Sequence, residues 1–156
     1  MSKLLVMCGI PGSGKSTWAK HFIEENDAVI VSRDSIRFSM LQEGEEYFSR
    51  EEEVTTEYYK QLNDLIADNG FEYIIADATH NTPKARKYML SQLNLKNVDI
   101  IPVYFSTSVE ECVRRNNMRE GLAKVPSRVI YQMANNRSKP DYNEFYTYFD
   151  IWEVNE

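Results

Sequence analysis

A glycine-rich run near the start of the chain has the residue types and the spacing that bind phosphate groups. Residues 9–16 read Gly-Ile-Pro-Gly-Ser-Gly-Lys-Ser and fit the pattern G-x-x-x-x-G-K-[ST], between an apolar run and a helical segment. Glycines allow the tight turn that points backbone N–H groups at phosphate oxygens, and the next helix adds the partial positive charge of its N-terminus. Lys15 supplies a cation for the β- and γ-phosphates, and the Ser16 hydroxyl is a ligand for Mg²⁺. The run predicts a nucleoside triphosphate site formed by Gly9, Gly12, Ser13, Gly14, Lys15, Ser16 and Thr17.

A carboxylate follows the second apolar run, 28–32, beyond the carboxyl end of a predicted strand, where ligands bind in open α/β sheets. Phosphoryl transfer to a hydroxyl requires a group that accepts the hydroxyl proton, and Asp34 is the predicted general base. An aspartate at this position is equally suited to cap the N-terminus of a helix, and the two roles are compatible. Arg33 is predicted in the same substrate site. Arg37, one helical turn later, is predicted to receive a substrate phosphate bidentately, the alternative being a solvated surface arginine.

A second carboxylate, Asp77, follows the third apolar run, 72–76, at the same predicted rim. An aspartate there holds a water of the Mg²⁺ shell or orients a neighbouring arginine. His21 and His80 lack a second histidine at metal-ligand spacing, so a catalytic metal bound by protein nitrogens is not predicted.

Two arginines further along the chain have the spacing of a lid over a nucleotide. Arg115 and Arg119 lie four residues apart on one predicted helix face, ahead of a loop that contains Gly121. The segment 115–126 is predicted to close over the donor, to bring both arginines to its phosphates and to exclude water. The alternative is a solvated helix face. The predicted catalytic residues are thus Lys15, Asp34, Arg37 and Arg119.

The elements that must position these residues follow an α/β pattern, because five apolar runs alternate with stretches long enough for helices. The predicted strands are 3–8, 28–32, 72–76, 98–105 and 148–154, and the predicted helices are 15–25, 35–42, 50–68, 83–93, 108–118 and 127–137. A capping box of Ser49 and Glu52 is predicted to start the third helix, and Asn69-Gly70 to end it. The pattern predicts a three-layer sandwich, a five-stranded parallel sheet with helices on both faces and a helical lid.

Length and composition bound the class of protein. The 156 residues suit one domain, 1–156, and no apolar stretch approaches the roughly 18 residues of a membrane span. Hydrophobic residues at 42% and charged residues at 27% are typical of a soluble globular protein, and two cysteines without a C-x-x-C pair predict a reducing, cytoplasmic compartment. The net charge of −6 is unevenly spread, since 43–53 and 140–156 are acidic whereas 107–139 is locally basic. The acidic segments repel phosphate and oppose extended contact with a duplex.

An aromatic cluster lies near the end of the chain. Its members are Tyr142, Phe145, Tyr146, Tyr148, Phe149 and Trp152. Aromatic platforms can stack nucleobases, but the acidic residues that flank this cluster favour core packing or a subunit contact.

Together, these motifs resemble the 5′-kinase domain of the phage polynucleotide kinases, within the wider group of small P-loop kinases. The resemblance is carried by 11–19, by 33–37 and by the lid residues 115–119 with 123–126, and the spacing agrees through 1–139. It implies that the nucleotide is ATP, that Arg37 holds the phosphate next to the acceptor 5′-hydroxyl, and that Asp77 supports Arg37 or the metal water.

Two features depart from the pattern of the family's kinase domain. Ala78 stands where the family usually has a threonine near the phosphates, and the lid is one residue longer. The chain also lacks the aspartate-x-aspartate-glycine motif of the family's 3′-phosphatase domain, so no phosphatase activity is expected.

The residues alone predict a kinase, and the acceptor follows from the resemblance. The predicted reaction transfers the γ-phosphate of ATP to the 5′-hydroxyl of single-stranded or end-frayed DNA or RNA, in nucleic-acid end repair and of phage origin, with the oligomeric state open. The same base and lid serve a kinase of a small hydroxylated molecule, such as a nucleoside, an antibiotic or a nucleotide sugar. A third hypothesis is a non-catalytic nucleotide-binding switch. A plain ATPase is disfavoured because no residue has a clear water-positioning role.

Overall fold

Five strands and six α-helices alternate along the computed structural model, which describes residues 1–145 and 147–155. The strands are β1 (Lys3–Cys8), β2 (Ala28–Ser32), β3 (Tyr73–Asp77), β4 (Asp99–Phe105) and β5 (Trp152–Val154). The helices are α1 (Lys15–Glu25), α2 (Arg33–Met40), α3 (Glu51–Asp68), α4 (Pro83–Gln92), α5 (Val109–Asn117) and α6 (Ser127–Asn136), with a 3₁₀ turn at Gly121–Ala123.

The strands form one parallel sheet in the order β2-β3-β1-β4-β5. The central strand β1 pairs with both β3 and β4, so that Val6 lies opposite Ala76 on one side and Pro102 on the other. Because all strands run the same way, their carboxyl ends meet at one edge of the sheet. This edge brings together the loop after β1, the start of α2 after β2, and Asp77 at the end of β3.

Side chains of β1 alternate between two apolar layers. Leu4 and Val6 pack with buried residues of α3 and α4, whereas Leu5 and Met7 pack on the opposite face against α1, where Ala19 is fully buried. Fully burying an aliphatic side chain of this size contributes about 1.5–3 kcal/mol. The three-layer α/β sandwich predicted from the apolar runs is confirmed.

The last predicted strand is shorter than its apolar run. Instead of 148–154, the strand comprises Trp152–Val154, and Tyr148 forms only an isolated bridge with Ile100. Asp150 accepts the backbone N–H of Ile151 at 2.8 Å, and such a local side-chain bond competes with a sheet ladder.

The aromatic cluster is split by this arrangement. Tyr148 is buried and Trp152 lies next to Trp18 and Phe22 of α1, whereas Tyr142 and Phe149 are exposed. Two of the cluster's side chains thus pack against the fold, as predicted. Tyr146 lies outside the described residues.

Two predicted helix caps are wrong. The Ser49 hydroxyl donates to the Glu46 carbonyl at 2.7 Å, and α3 starts after Arg50 without a side-chain cap. The helix α2 begins at Arg33 rather than at residue 35, because the Ser32 hydroxyl accepts the backbone N–H of Ser35 at 3.1 Å. Asp34 is therefore inside the first turn of α2 and is not its N-cap.

The predicted lid segment comprises the end of α5, the 3₁₀ turn and the loop that leads into α6. The buried Asn116 amide closes its base, since it donates to the Val125 carbonyl at 2.7 Å and accepts the Val125 N–H at 3.0 Å. Residues between these two contacts, including Met118 and Leu122, are exposed. Among the helices described, none is long and apolar enough to cross a membrane.

Candidate active site

The loop between β1 and α1 forms a cradle that fits phosphate groups. Gly12 and Gly14 have φ values of 84° and 98°, which glycine adopts without strain. A Cβ on Gly12 would lie 2.5 Å from the Cys112 carbonyl oxygen, so only glycine fits there. The Ser13 hydroxyl is buried and has no hydrogen-bond partner within the described part of the chain. A turn of this shape at the start of a helix, with an unsatisfied donor, suits the phosphates of a nucleotide.

Lys15 begins the helix α1 at this cradle. Its Nζ donates to the Ile10 carbonyl at 3.1 Å. Burial lowers the pKa of Lys15, while the negative charges of Asp77 and Asp34 act in the opposite direction. A buried ammonium whose charge is disfavoured by desolvation gains from a bound anion, as the predicted role of Lys15 requires.

Ser16 and Asp77 come together beside Lys15. The Ser16 hydroxyl donates to Asp77 Oδ2 at 3.3 Å. Burial raises the pKa of Asp77, and the nearby ammonium of Lys15 opposes this shift. Hydroxyl and carboxylate oxygens are ligands that Mg²⁺ prefers, directly or through waters, so the pair fits the predicted metal site. Asp77 does not support Arg37, contrary to one of its two predicted roles, because the hydrogen bonds of Arg37 run to other residues.

The predicted base Asp34 projects from the first turn of α2, and 62% of its side chain is exposed. Arg37 Nη1 donates to Asp34 Oδ1, and the Tyr47 hydroxyl donates to the same oxygen at 3.2 Å. Arg37 Nη1 also lies 3.1 Å from the Tyr47 hydroxyl. These contacts hold the carboxylate in one orientation while leaving it open to the solvent. Arg37 is only 5% exposed, so the alternative of a solvated surface arginine is wrong.

Glu51, the first residue of α3, binds both arginines of the substrate segment. Arg37 donates to it through Nε and through Nη2, at 2.5 and 2.9 Å, and Arg33 Nη2 donates to it at 3.1 Å. The same Arg33 nitrogen lies 2.6 Å from the Thr55 hydroxyl. Burial alone raises the pKa of Glu51, but the hydrogen bonds from Arg37 and Arg33 hold it below its ordinary value.

Glu51 was not predicted as a site residue. It begins a run of three glutamates, Glu51–Glu53, which by pattern alone indicates a helix N-terminus. The signal that could have identified it is the pair of arginines at 33 and 37, four residues apart on one helix face, which requires a carboxylate if it is buried.

The two lid arginines occupy different places. Arg119 lines the same cavity as the phosphate cradle and Asp34, and its Nη1 lies 3.5 Å from the Ala123 carbonyl oxygen. Arg115 donates to Glu111 at 3.0 Å and to the Gly12 carbonyl at 3.2 Å, so it contacts the backbone of the cradle. Both positions lie near the predicted donor site, but only Arg119 faces the reaction cavity.

A cavity of about 410 Å³ joins the phosphate cradle to Asp34 and the Glu51 contacts. Its volume lies within the range of small-molecule sites, roughly 300–1,000 Å³. The aromatic wall of the cavity is formed by Tyr58, Tyr59 and Tyr88, whose rings contact one another in turn, and Phe48, Val129 and Met133 add further apolar lining. The cavity thus combines groups that fit phosphates with aromatic side chains that fit a flat ring.

His80 supports this wall in an uncharged form. Its Nδ1 donates to the Met7 carbonyl at 2.7 Å, which makes Nε2 the acceptor for the Tyr58 hydroxyl at 3.3 Å. Burial lowers the pKa of His80 to about 4. No group of three histidine, cysteine or acidic residues that could hold a metal occurs among residues 1–145 and 147–155.

Comparisons with known proteins identify relatives among kinases. A family model of the AAA domain matches residues 4–140. L-seryl-tRNA(Sec) kinase of Methanococcus maripaludis is 26% identical over 177 aligned residues, which cover 98% of this chain and 66% of the relative. A sugar kinase from a Janibacter species has the same fold, with a TM-score of 0.68 at 16% identity, over 99% of this chain and 86% of its own.

Two solved structures of the Pnkp1/Rnl/Hen1 complex, one of them described as an RNA repair complex, also match. Their chains are 34% and 29% identical to this one, with TM-scores of 0.62 and 0.71. The matches cover 73% and 86% of this chain, but this chain spans only 38% and 43% of theirs.

Proposed function

Because the chain belongs to the AAA domain family and is a P-loop kinase, we propose that it transfers the γ-phosphate of ATP to the 5′-hydroxyl of a DNA or RNA strand. The family relation supports ATP as the nucleotide and a hydroxyl as the acceptor. The kind of molecule that carries this hydroxyl is proposed from the surroundings of Asp34 and from the relatives.

One observation carries the kinase chemistry. The exposed carboxylate of Asp34 opens into the same cavity as the cradle that fits the ATP phosphates. Arg37 and Tyr47 both donate to its Oδ1, and Oδ2 is the oxygen that we propose accepts the proton of the attacking hydroxyl. General bases of this kind contribute typically about 10²–10⁴-fold to the rate.

The other residues act on the donor. Bound ATP supplies the transferable phosphoryl group, and Mg²⁺ neutralises part of its charge. The backbone of residues 9–16 and Lys15 hold the phosphates. Ser16 and Asp77, which are hydrogen-bonded to each other here, would hold the metal ion. Arg119, on the lid, stabilises the charge that develops on the transferring phosphoryl group and helps to exclude water.

A nucleic-acid end is the acceptor that best fits the surroundings of Asp34. The aromatic wall that contains Tyr59 and Tyr88 suits a nucleobase, since bases stack on aromatic side chains. The relatives in an RNA repair complex support the same acceptor class. Tyr47, Phe48 and Glu51 of the acidic segment 43–53 line the cavity. The net negative charge of this segment opposes a long duplex, so we propose that the site takes the few terminal nucleotides of a single-stranded or frayed end. Both cysteines are unpaired, which supports an intracellular location.

A kinase of a small hydroxylated molecule is the second candidate, because the cavity of about 410 Å³, which includes the phosphate cradle, lies within the range of small-molecule sites. A non-catalytic nucleotide-binding switch is the third. These candidates differ in which hydroxyl becomes phosphorylated and in whether Asp34 is needed.

Transfer of labelled γ-phosphate separates them. ATP and Mg²⁺ are incubated with 5′-hydroxyl DNA and RNA oligonucleotides, nucleoside 3′-monophosphates and free nucleosides, using the wild type and Asp34→Asn. We expect labelled oligonucleotide ends that are lost in D34N, while D34N still binds ATP. Labelling of free nucleosides alone would establish the small-molecule kinase, and tight ATP binding without any transfer would refute the polynucleotide kinase in favour of the switch or of a kinase for another small molecule.

A further inference from the structure

Two arginines of the acceptor side converge on a single carboxylate. Glu51 accepts from Arg37 through both of its oxygens, and Arg33 donates to the second of them. The Arg37 edge formed by Nε and Nη2 is the one with which an arginine binds a phosphate bidentately. In this structure Glu51 occupies that edge.

The donors around Glu51 are those of an anion site. Two guanidinium groups lie within hydrogen-bonding distance of its carboxylate, and the Thr55 hydroxyl contacts Arg33 at 2.6 Å. All of these residues line the cavity that contains Asp34. A phosphate group at the same position would meet the same donors, and Arg37 would connect it to the predicted base.

We propose that Glu51 is an internal anion that occupies the position of the acceptor's phosphate, and that a phosphate-bearing acceptor binds by displacing it. The proposal deepens the proposed function and rests on it, because it adds an internal competitor for the phosphate contact of Arg37. An acceptor without a phosphate leaves Glu51 in place and gains nothing from the two arginines. The two arginines therefore favour nucleotides and strand ends over free nucleosides, and Glu51 reduces this preference because it competes with the phosphate for their donors.

The surroundings allow Glu51 to leave without disturbing the arginines. Glu51 is the first residue of α3, so its carboxylate stays near a helix N-terminus after release. Its side chain is 29% exposed, which gives it a path to water. Arg37 remains held by Asp34 and by the rings of Tyr47 and Phe48, whose centroids lie 4.6 and 5.6 Å from its guanidinium carbon.

Calorimetric titration tests the proposal. Adenosine 3′-monophosphate and adenosine are each titrated into protein whose P-loop is saturated with ADP and Mg²⁺, so that the P-loop does not bind the added phosphate. The proteins are the wild type, Glu51→Gln and Glu52→Gln. E52Q is the matched control, since it removes the same charge from the same helical turn and Glu52 makes no contact with either arginine among the hydrogen bonds described.

We expect the preference for adenosine 3′-monophosphate over adenosine to rise by about tenfold or more in E51Q, from the charge-assisted hydrogen bonds that become available to the phosphate. E52Q should match the wild type. An unchanged or reduced preference in E51Q, including no measurable binding by any protein, overturns the proposal, as does an equal gain in E52Q. If E51Q is unfolded by circular dichroism, Glu51→Asp replaces it, because the shorter side chain cannot span both guanidinium groups and should give a smaller gain of the same sign.

The transfer assay and this titration can refute the two proposals independently of each other. A protein that labels 5′-ends but shows no gain in E51Q refutes the internal anion alone. A protein that shows the gain but labels no 5′-end refutes the polynucleotide kinase.

Discussion

Arg37 links the predicted base to Glu51, and Arg37→Lys tests what this link contributes. Its three guanidinium nitrogens donate hydrogen bonds on two sides of the group. Nε and Nη2 donate to Glu51, and Nη1 donates to Asp34 and to the Tyr47 hydroxyl. A lysine preserves the charge but has one nitrogen, which can reach only one of the two sides. We expect R37K to lose folding stability and phosphoryl transfer together, while ADP binding at the P-loop stays unchanged.

The magnitude follows from the contacts that are lost. At least two charge-assisted hydrogen bonds disappear, each worth about 1.5–3 kcal/mol in a protected site. The side chains of Glu51 and Asp34 are 29% and 62% exposed, so water recovers part of this energy. The expected decrease in the free energy of unfolding is about 2–3 kcal/mol. A base that has lost its orienting donor is expected to lower kcat by about 10–100-fold.

Urea unfolding followed by circular dichroism measures the stability change, and the oligonucleotide transfer assay measures kcat. The matched control is Arg114→Lys, since Arg114 is 61% exposed and pairs with Glu111 one helical turn away. An exposed pair of this kind contributes at most about 0.5 kcal/mol. If R37K unfolds at the same urea concentration as R114K and retains kcat, the linking role of Arg37 is refuted.

Two further predictions concern the phosphate cradle and the buried histidine. We expect Gly12→Ala to weaken ADP binding by about tenfold or more, because φ is 84° there and the Cβ would lie 2.5 Å from the Cys112 carbonyl oxygen. The control is Gly44→Ala, because Gly44 has a similar φ of 83° but a Cβ there would meet nothing within 4 Å. This variant should bind ADP normally, and equal binding by the two variants would contradict the role of Gly12 in the cradle. Burial lowers the pKa of His80 to about 4 from an ordinary 6.5. Between these values the unfolded chain binds a proton that the folded chain does not, so the free energy of unfolding falls as the pH drops, by up to about 1.4 kcal/mol per pH unit. In urea titrations between pH 7 and pH 4, the free energy of unfolding should change less with pH for His80→Asn than for His21→Asn. Identical slopes for the two variants would exclude His80 as the cause of the pH dependence.

Local sequence patterns were sufficient to predict where most strands and helices lie. The strands β1 and β2 begin and end where the apolar runs predict, and the helices α1 and α3 differ from prediction by at most one residue at an end. These segments are long or strongly apolar, and their periodicity reflects burial on the sheet. The shortest strand, β5, was overestimated because Asp150 bonds to the backbone of Ile151 just before it.

The helix ends show where local rules compete. Ser32 and Asp34 both have capping side chains, and the sequence does not decide which one accepts the first N–H of α2. The structure places Ser32 there, so Asp34 can contact Arg37 and Tyr47 instead. At α3 the predicted capping box is replaced by a turn in which Ser49 bonds to Glu46.

The sequence by itself determined the α/β sandwich, the phosphate cradle and the position of Asp34 at its rim, because each depends on residues that are neighbours in the chain or on parallel strands whose carboxyl ends meet. The tertiary structure alone decided which carboxylate binds the Nε and Nη2 side of Arg37. Glu51 lies fourteen residues away on another helix and is brought to Arg37 and Arg33 only when α3 packs beside α2. Ion pairs between helices depend on how their faces meet, so the spacing of Arg33 and Arg37 indicates that a carboxylate is needed but not which residue supplies it.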